Sequence, residues 1–465
     1  MDNQRVEVEQ VEAWAAELDA LMQRIGPRFA RSEARQRAKA YLQGLLSPAQ
    51  RKNGWQLAEM MGDATPYGVQ QFLYRAVWNP DELRDDLRAY VVDALGDDEA
   101  VLIVDETGFL KKGTHSAGVK RQPALACGSG PGYSGTAGRI ENSQVGVFLA
   151  YASPHGHAFL DRALYLPQDW ALDAERRQAA GIPEAVSFAS KPDLAWKMLR
   201  QAVERQVPFA WVTADSIYGD YRSLRLWLES LPKRYVLAVS RKETVVIDWQ
   251  PQRVGDLLNA LPHAGWQRLS AGAGAKGPRL YDWLLLPLLD PPVQGWRRWL
   301  LVRRSLCDPT DLAAYACFAP AGTPLSELVR VAGTRWVIEA SLEEAKDELG
   351  LDQYEVRSWT GWYRHITLVL LAHALLAAIQ ARAGDAELAA PKKGALDSSD
   401  AEQPGSVQSW PRPLVRLSLP ELRRLLWRLV WLVVPTTAFV LAWSFWRRAH
   451  QAVARACHYS KRLAL

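Results

Sequence analysis

The sequence predicts an α/β protein: a core of strands and helices carrying a mostly β insertion, with helical segments before and after it. Three observations predict this. Short apolar runs at Val101–Val104, Phe209–Ala214 and Arg234–Val239 have the length and residue types of buried strands. Among them lies an amphipathic helix, Lys191–Gln206, with Leu194, Met198, Leu199, Ala202 and Val203 on one side. Residues 1–95 and 414–465 read as helices, the first set charged and the second largely apolar.

Taken in order, Trp55–Gly62 reads as a helix ended by glycine. Asp63-Ala64 makes a turn, and Thr65–Arg75 restarts as a helix with Thr65 as cap and Pro66 at its first position. This is the layout of a helix-turn-helix, and equally of a plain helical hairpin. Residues 96–240 form the first part of the core. There Val101–Val104, Gln144–Ala152 and Ala158–Tyr165 read as three strands, before the helix at Lys191–Gln206. A fourth strand at Phe209–Ala214, a short helix at Leu224–Leu231 and a fifth strand at Arg234–Val239 follow. Residues 241–327 hold strand-like runs at Thr244–Trp249, Arg279–Leu286 and Trp296–Arg303, punctuated by Gly and Pro at 271–278 and 287–295. That stretch is too long for a plain connection and reads as the β insertion. Residues 328–382 complete the core with helices. Residues 383–413, rich in Ala, Gly, Ser, Asp and Pro, read as a flexible linker. Apolar helices resume at Leu417–Val434 and Ala438–Ala456.

At 465 residues the chain is too long for one ordinary core. Its net charge of +5 permits a polyanionic partner without demanding one. The distribution says more: from Arg447 to Leu465 there are five Lys or Arg and no acid. Cys127, Cys307, Cys317 and Cys457 lie far apart, which excludes a zinc ribbon and a disulfide framework and suits a reducing cytoplasm. No signal peptide is expected at the acidic N-terminus. Residues 366–379 are apolar but too few to cross a bilayer, and 425–446 contain Arg428 and Pro435. Both are expected as buried helices.

Two acids close apolar runs: Asp105 after Val101–Val104, and Asp215 after Phe209–Ala214. A third lies in Ala332–Lys346, where Arg335, Glu339 and Lys346 are spaced by four and seven residues and stack on one helical face. Two acids at strand ends and one on a later helix can hold two divalent metals for phosphoryl chemistry. Each acid has a rival. Glu106 adjoins Asp105, but neighbours on a strand point to opposite faces, so only one of them should face a metal. Asp220 competes with Asp215, and Glu343 with Glu339. For Arg335 and Lys346 the bland alternative is a helix ion pair and a solvated lysine. His115 reads as an ordinary loop histidine.

These residues resemble the insertion-sequence transposases of the DDE superfamily, in the subgroup with a Tyr-x2-Arg-x3-Glu-x6-Lys signature. Arg335, Glu339 and Lys346 match that spacing, while Ala332 replaces the Tyr. Val104–Phe109, Tyr133–Asn142 and Tyr354–Trp359 are similar to other segments of the subgroup, so the resemblance spans nearly the whole chain. It implies a ribonuclease-H-like core in which the first and fourth strands are neighbours and Asp105 and Asp215 end side by side. It implies catalytic and metal-binding roles for Asp105, Asp215 and Glu339, with two Mg2+ ions for which Mn2+ can substitute. Arg335 and Lys346 are then expected at phosphates near the scissile bond, and Arg139 and Asn142 at the DNA end. Gln70, Gln71 and Arg75 of the helix-turn-helix, and Arg447 and Arg448 near the C-terminus, are further expected DNA contacts. The insertion is expected to hold the transposon end, one aromatic stacking on a flipped base, with Trp249, Trp266, Trp283, Trp296 and Trp299 as candidates. Residues 123–132 read as an inserted flexible loop.

The implied activity is cut-and-paste transposition. The protein would cleave transposon ends and transfer the strands to target DNA. It would act as a homodimer on double-stranded DNA, at the bacterial nucleoid and away from membranes. Two readings of other classes stay open. One is a catalytically inactive DNA-binding regulator derived from such an enzyme. The other is a ribonuclease-H-like nuclease that cuts without strand transfer.

Overall fold

The computed structural model describes residues 6–123, 140–274, 277–389 and 416–463. The chain divides into a helical unit, residues 1–78, 348–355 and 375–465, and a sheet unit, residues 79–347 and 356–374.

The helical unit begins with α1 (Val8–Ile25), α2 (Ser32–Leu46), α3 (Gly54–Met60) and α4 (Tyr67–Tyr74). In α1, Val11, Ala15, Leu18, Leu21 and Ile25 recur at three- and four-residue steps and are buried. Asn53 caps α3 by accepting from Gln56 N at 3.0 Å. Gly62 follows it at φ +81°, the left-handed backbone that lets a helix end in a tight turn. The next helix starts one residue later than predicted. Pro66, with φ −73° and ψ −4°, occupies the cap position itself, and no Thr65 side chain caps the helix. Val69, Phe72 and Leu73 turn inward, and Phe72 stacks on Trp78 with centroids 5.2 Å apart.

The sheet unit follows the strand and helix periods closely in its first half. Its strands are β1 (Val101–Leu110), β2 (Lys120–Pro123), β3 (Ile140–Ser153), β4 (Gly156–Leu164), β5 (Trp211–Ala214) and β6 (Arg234–Val239). A small hairpin follows, β7 (Thr244–Ile247) with β8 (Gln250–Arg253), then β9 (Gln267–Gly274), β10 (Gly277–Pro287), β11 (Trp296–Arg304) and β12 (Leu312–Pro320). The main sheet runs in the order β2-β3-β1-β5-β6-β12-β11-β10-β9, with β4 also paired to β3. Pairs β1/β5 and β5/β6 are parallel, and the remaining pairs are antiparallel. Strands β9 to β12 therefore extend the same sheet, since β12 lies antiparallel to β6 from Ala314↔Val239 to Phe318↔Tyr235, while β7 and β8 pair only with each other.

The helices of this unit are α5 (Pro80–Leu95), α6 (Gln168–Ala171), α7 (Ala174–Ala180), α8 (Lys191–Glu204), α9 (Ser216–Gly219), α10 (Arg222–Ser230), α11 (Val254–Asn259), α12 (Leu325–Thr334) and α13 (Trp336–Asp347). The long α14 (Trp359–Ala389) begins in it and continues into the helical unit. Ile366–Ile379 are almost wholly buried, as expected for a core helix. α5 is tied to β4 by charge: Arg88 Nη2 and Arg84 Nη1 lie 2.8 and 3.1 Å from the buried Asp161 carboxylate. Removing one partner would strand a buried charge.

The C-terminal part of the helical unit contains α15 (Leu419–Leu426), a π-helical turn at Trp427–Trp431 and α16 (Thr437–Leu463). The expectation of a buried helix over 425–446 needs correction. The helix breaks before Pro435, which has no N–H to donate, and Leu432, Val433, Val434, Leu441 and Phe445 are exposed. α16 meets α3 through aromatic rings: Trp446 stacks on His450 at 5.0 Å, and Trp55 packs edge-on to Trp446 at 5.0 Å. Residues 390–413 of the expected linker, and 124–132 of the expected inserted loop, lie outside the described residues.

Candidate active site

Asp105 does not end its strand. β1 continues to Leu110, because β3 pairs with it through the whole acidic and glycine-containing stretch, from Val101↔Ala152 to Leu110↔Ser143. What ends is the other side. β5 covers β1 only from Val101↔Trp211 to Val104↔Ala214. Past Val104 the edge of β1 is open, and Asp215, the residue after β5, lies beside that opening.

Asp215 caps α9, accepting from Ile217 N at 2.9 Å. The turn is pressed onto β6, where a side chain on Gly219 would put a Cβ 1.8 Å from Ala238 O. Glycine is therefore required for α9, and with it Asp215, to come this close. Carboxylate oxygens of Asp105, Asp215 and Glu106 all lie within 4.8 Å of one another. The expectation that only Asp105 or Glu106 faces the site is corrected here. Side chains from both faces of β1 converge around the edge that β5 leaves uncovered.

Glu106 is held by two donors, Lys191 Nζ at 2.7 Å and Tyr218 Oη at 2.5 Å. Neither was anticipated. Tyr218 stands three residues after Asp215 on the same helical turn, which places both on one side, and this spacing was the available signal. Lys191 opens α8 just after its Ser190 cap.

The third acid reaches the cluster through an arginine. Arg335 Nη2 is 2.7 Å from Glu339 Oε1, and Arg335 Nη1 is 3.4 Å from Asp105 Oδ2. Arg335 ends α12, which packs against β9 so tightly that a Cβ on Gly333 would lie 1.9 Å from Ala271 O. Ala332, at the position of the signature Tyr, is buried. Glu343 is exposed, and Asp220 is engaged as an acceptor from Ser240 N at 2.9 Å. Lys346 donates to Thr107 Oγ1 at 2.8 Å, two residues beyond Asp105 on β1.

Burial pushes the Asp105 carboxyl up to about 7; Arg335 pulls it down, and the charge of Asp215 adds to the rise. Burial, then the charge of Glu106, raises Asp215 to about 6, against the N–H groups of Ile217 and Tyr218. The two acids thus sit where negative charge is under-compensated. An all-oxygen donor set of this kind fits a hard divalent cation such as Mg2+ or Mn2+.

The remaining expected residues are elsewhere. Gln70 and Arg75 are exposed and Gln71 half-buried on or just after α4 in the helical unit. Arg448 is exposed on α16, whereas Arg447 pairs with Glu59 of α3. Asn142 lies in β3 opposite Arg121, and its carbonyl accepts from Lys111 N at 2.8 Å. Arg139 lies outside the described residues. His115 is exposed in the turn region after β1. Among the tryptophans, Trp283 and Trp299 are buried, Trp296 stacks on Phe318 at 4.6 Å, and Trp266 lies under Arg304 at 3.9 Å. Trp249 is 80 % exposed, at the tip of the β7–β8 hairpin.

Comparisons with known proteins bear on the family of the chain. The family model described as DDE superfamily endonuclease matches residues 24–256, a stretch that includes Asp105 and Asp215 and stops before Glu339. The probable transposase for insertion sequence element IS701 of Microchaete diplosiphon is 28% identical over 210 residues, 44% of this chain and 48% of that protein. The chain thus spans about half the length of this curated relative. The NurA nuclease from Sulfolobus solfataricus is 10% identical, over 58% of this chain and 82% of that one, with a TM-score of only 0.23. By the family match, this chain belongs to the DDE superfamily of endonucleases, and an insertion-sequence transposase is among its relatives.

Proposed function

We propose that the protein is a DNA transposase that cleaves transposon ends and joins them to target DNA, using a site built on Asp105, Asp215 and Glu339. One observation carries this reading: neighbouring parallel strands bring Asp105 and Asp215 together, and Arg335 links Asp105 to Glu339. The strand order β4-β3-β1-β5-β6, with β1, β5 and β6 parallel, supports reading the core as ribonuclease-H-like.

Asp105 and Asp215 would hold Mg2+ or Mn2+, with Glu339 as the third ligand. Bound there, the metal supplies an activated attacking oxygen and a stabilised leaving oxygen. Arg335 keeps Asp105 and Glu339 directed at one place and offsets charge when a polyanion approaches. Lys346 positions β1 from α13, and Lys191 with Tyr218 holds Glu106. The proton of the attacking group leaves to solvent or to a carboxylate of the cluster.

The helical unit is read as the end-binding part, with Gln70, Gln71 and Arg75 on α4 and Arg448 on α16 toward DNA. In the insertion, Trp249 is the aromatic free to stack on a base. Asp248 and Trp249 take φ +48° and +63° at the hairpin tip, a conformation unfavourable for a bulky residue, which suits a functional position. A homodimer on paired ends in the bacterial cytoplasm completes the proposal.

The test is cleavage of labelled DNA carrying the end of the element that encodes the protein, in Mg2+. Wild type is compared with Asp215→Ala and Glu339→Ala. Cleavage that is lost in both variants while DNA binding persists supports the three-acid site. Binding without cleavage in Mg2+ or Mn2+ points to a regulator, and cleavage without joining to a nuclease. Cleavage surviving Glu339→Ala moves the third ligand elsewhere.

A further inference from the structure

A second constellation lies in the sheet unit, away from the three acids. His157 opens β4, Glu344 lies on α13, and His373 lies on α14. One potential ligand atom from each falls within 4.8 Å of the other two. His373 is fully buried, and among the described residues neither of its ring nitrogens has a hydrogen-bond partner; the same holds for Glu344 Oε2. His373 Nε2 and Glu344 Oε2 approach to 3.5 Å without forming a hydrogen bond. Buried polar atoms are almost always satisfied, so one ring nitrogen of His373 and Glu344 Oε2, which face one place, need a partner there.

We propose that His157, Glu344 and His373 form a binding site for a transition-metal dication, with Zn2+ as the ion its donors suit best. Two imidazoles and one carboxylate are a borderline-soft set, which favours zinc-like ions over Mg2+. Ligand bonds of about 2.0–2.2 Å to a common ion are within reach of small side-chain rotations from the present spacing.

His157 is already prepared. Ser341 commits its hydroxyl proton to Val337 O at 2.8 Å, so its contact with His157 Nδ1 at 2.9 Å uses the ring N–H as donor. That fixes the tautomer and leaves Nε2 with the lone pair, as an outer-shell partner does for a metal-bound histidine. Burial holds the His157 ring well below its ordinary value, at about 4; His373 adds to this and Glu344 opposes it. The imidazole is therefore neutral, the form that ligates. Three protein ligands leave one position for water, and the partly exposed Glu344 carboxylate gives solvent a way in.

The site would join three elements. α13 carries Glu339 five residues before Glu344, about 140° around the helix. An ion on the His157 side would thus anchor the helix whose other side presents Glu339, without touching the reacting groups.

The test uses tag-free, full-length protein stripped of metal and titrated with Co2+ and Zn2+. An Asp105→Asn/Asp215→Asn variant removes the carboxylate site, and wild type in excess Mg2+ provides the same separation without mutation. The expected result is one tightly held Zn2+ per chain in both samples, with the visible absorption of four-coordinate Co2+. Glu344→Gln and His157→Gln should lose the ion while keeping the circular dichroism of the metal-free wild type. Ser341→Ala should weaken it by about 10–100-fold. Zn2+ should raise the Tm of wild type but not of Glu344→Gln. Uptake that is absent from both samples, or unchanged in Glu344→Gln and His157→Gln, overturns the proposal.

Discussion

The two titratable clusters of the sheet unit are built in opposite ways. Asp105, Glu106 and Asp215 are all oxygen, and their excess charge is partly met by Arg335, Lys191 and Tyr218. His157, Glu344 and His373 mix nitrogen with oxygen, and among the described residues His373 has no hydrogen-bond partner. The first lies at the edge of β1 that β5 leaves uncovered. The second lies among β4, α13 and α14, where His373 is enclosed. A partly neutralised acid site suits a cation that must exchange and share its shell with a substrate. An enclosed, unpartnered histidine suits an ion that stays. α13 carries a carboxylate toward each, Glu339 through Arg335 and Glu344 beside the two histidines.

The largest separation between the two should come from their ligands. Asp105→Asn or Asp215→Asn should reduce end cleavage to background. Glu344→Gln should reduce it by only about 10–100-fold, as expected for loosening an outer support. Equal losses in the same cleavage assay would erase the distinction.

Arg335 tests how the acid site is balanced. Arg335→Ala removes the cation that holds Asp105 down, so Asp105 should protonate at still higher pH. The acid limb of the cleavage–pH profile should move upward and the rate fall about 10–100-fold. Arg335→Lys should restore the limb better than the rate, since a lysine cannot bridge Asp105 and Glu339 in the same forked way. An unmoved profile would show that the bridge is only structural.

Stability should separate the clusters by sign. Asp105 and Asp215 titrate higher in the folded protein, at about 7 and 6, than the ordinary 3.8. The folded state binds more protons in that window, so their stabilisation is present at acid pH and lost as pH rises through those values. His157, lowered to about 4, works the other way: its contribution is present above its ordinary 6.5 and lost as pH falls. In metal-free protein, the Tm of Asp105→Asn/Asp215→Asn should gain on wild type between about pH 4 and pH 7. Mg2+ should close that gap most at the upper end. A constant gap would mean that these carboxyls are not shifted.

The smallest effect concerns Trp249. Trp249→Gly relieves a left-handed backbone, so the fold should be unchanged or steadier by up to about 1 kcal/mol. End cleavage should nevertheless fall. Unaltered cleavage with an unaltered Tm would leave Trp249 without a role.

Much of this was legible in the sequence, and the exceptions have physical causes. β1, β5, β6 and α8 announce themselves by apolar period, because they are buried between layers. β9, with the sequence Gln-Arg-Leu-Ser-Ala-Gly-Ala-Gly, is an edge strand with little to bury, so it carries no pattern. β12 is rich in alanine, which favours helix, and only its pairing with β6 and β11 makes it a strand. Asp105 and Asp215 could be paired only through the family resemblance, which implies that their strands are neighbours. Glu106 could not, since the alternation rule sends it to the wrong face unless one knows that β5 stops at Ala214. His157, Glu344 and His373 have no motif spacing; only the packing of three distant elements brings them together. Trp249 was one of five equal candidates until exposure distinguished it.

The pairing of β12 with β6 has a further consequence, for solubility. In a chain cut down to strands β1 to β6, β6 would be a bare edge of mostly apolar residues, offering unpaired N–H and C=O groups to any passing strand. Residues 241–327 therefore shield the core as well as extending it. A version lacking them should precipitate or form strand-swapped assemblies, whatever becomes of its chemistry, and a smaller working enzyme would need that edge charged or covered first.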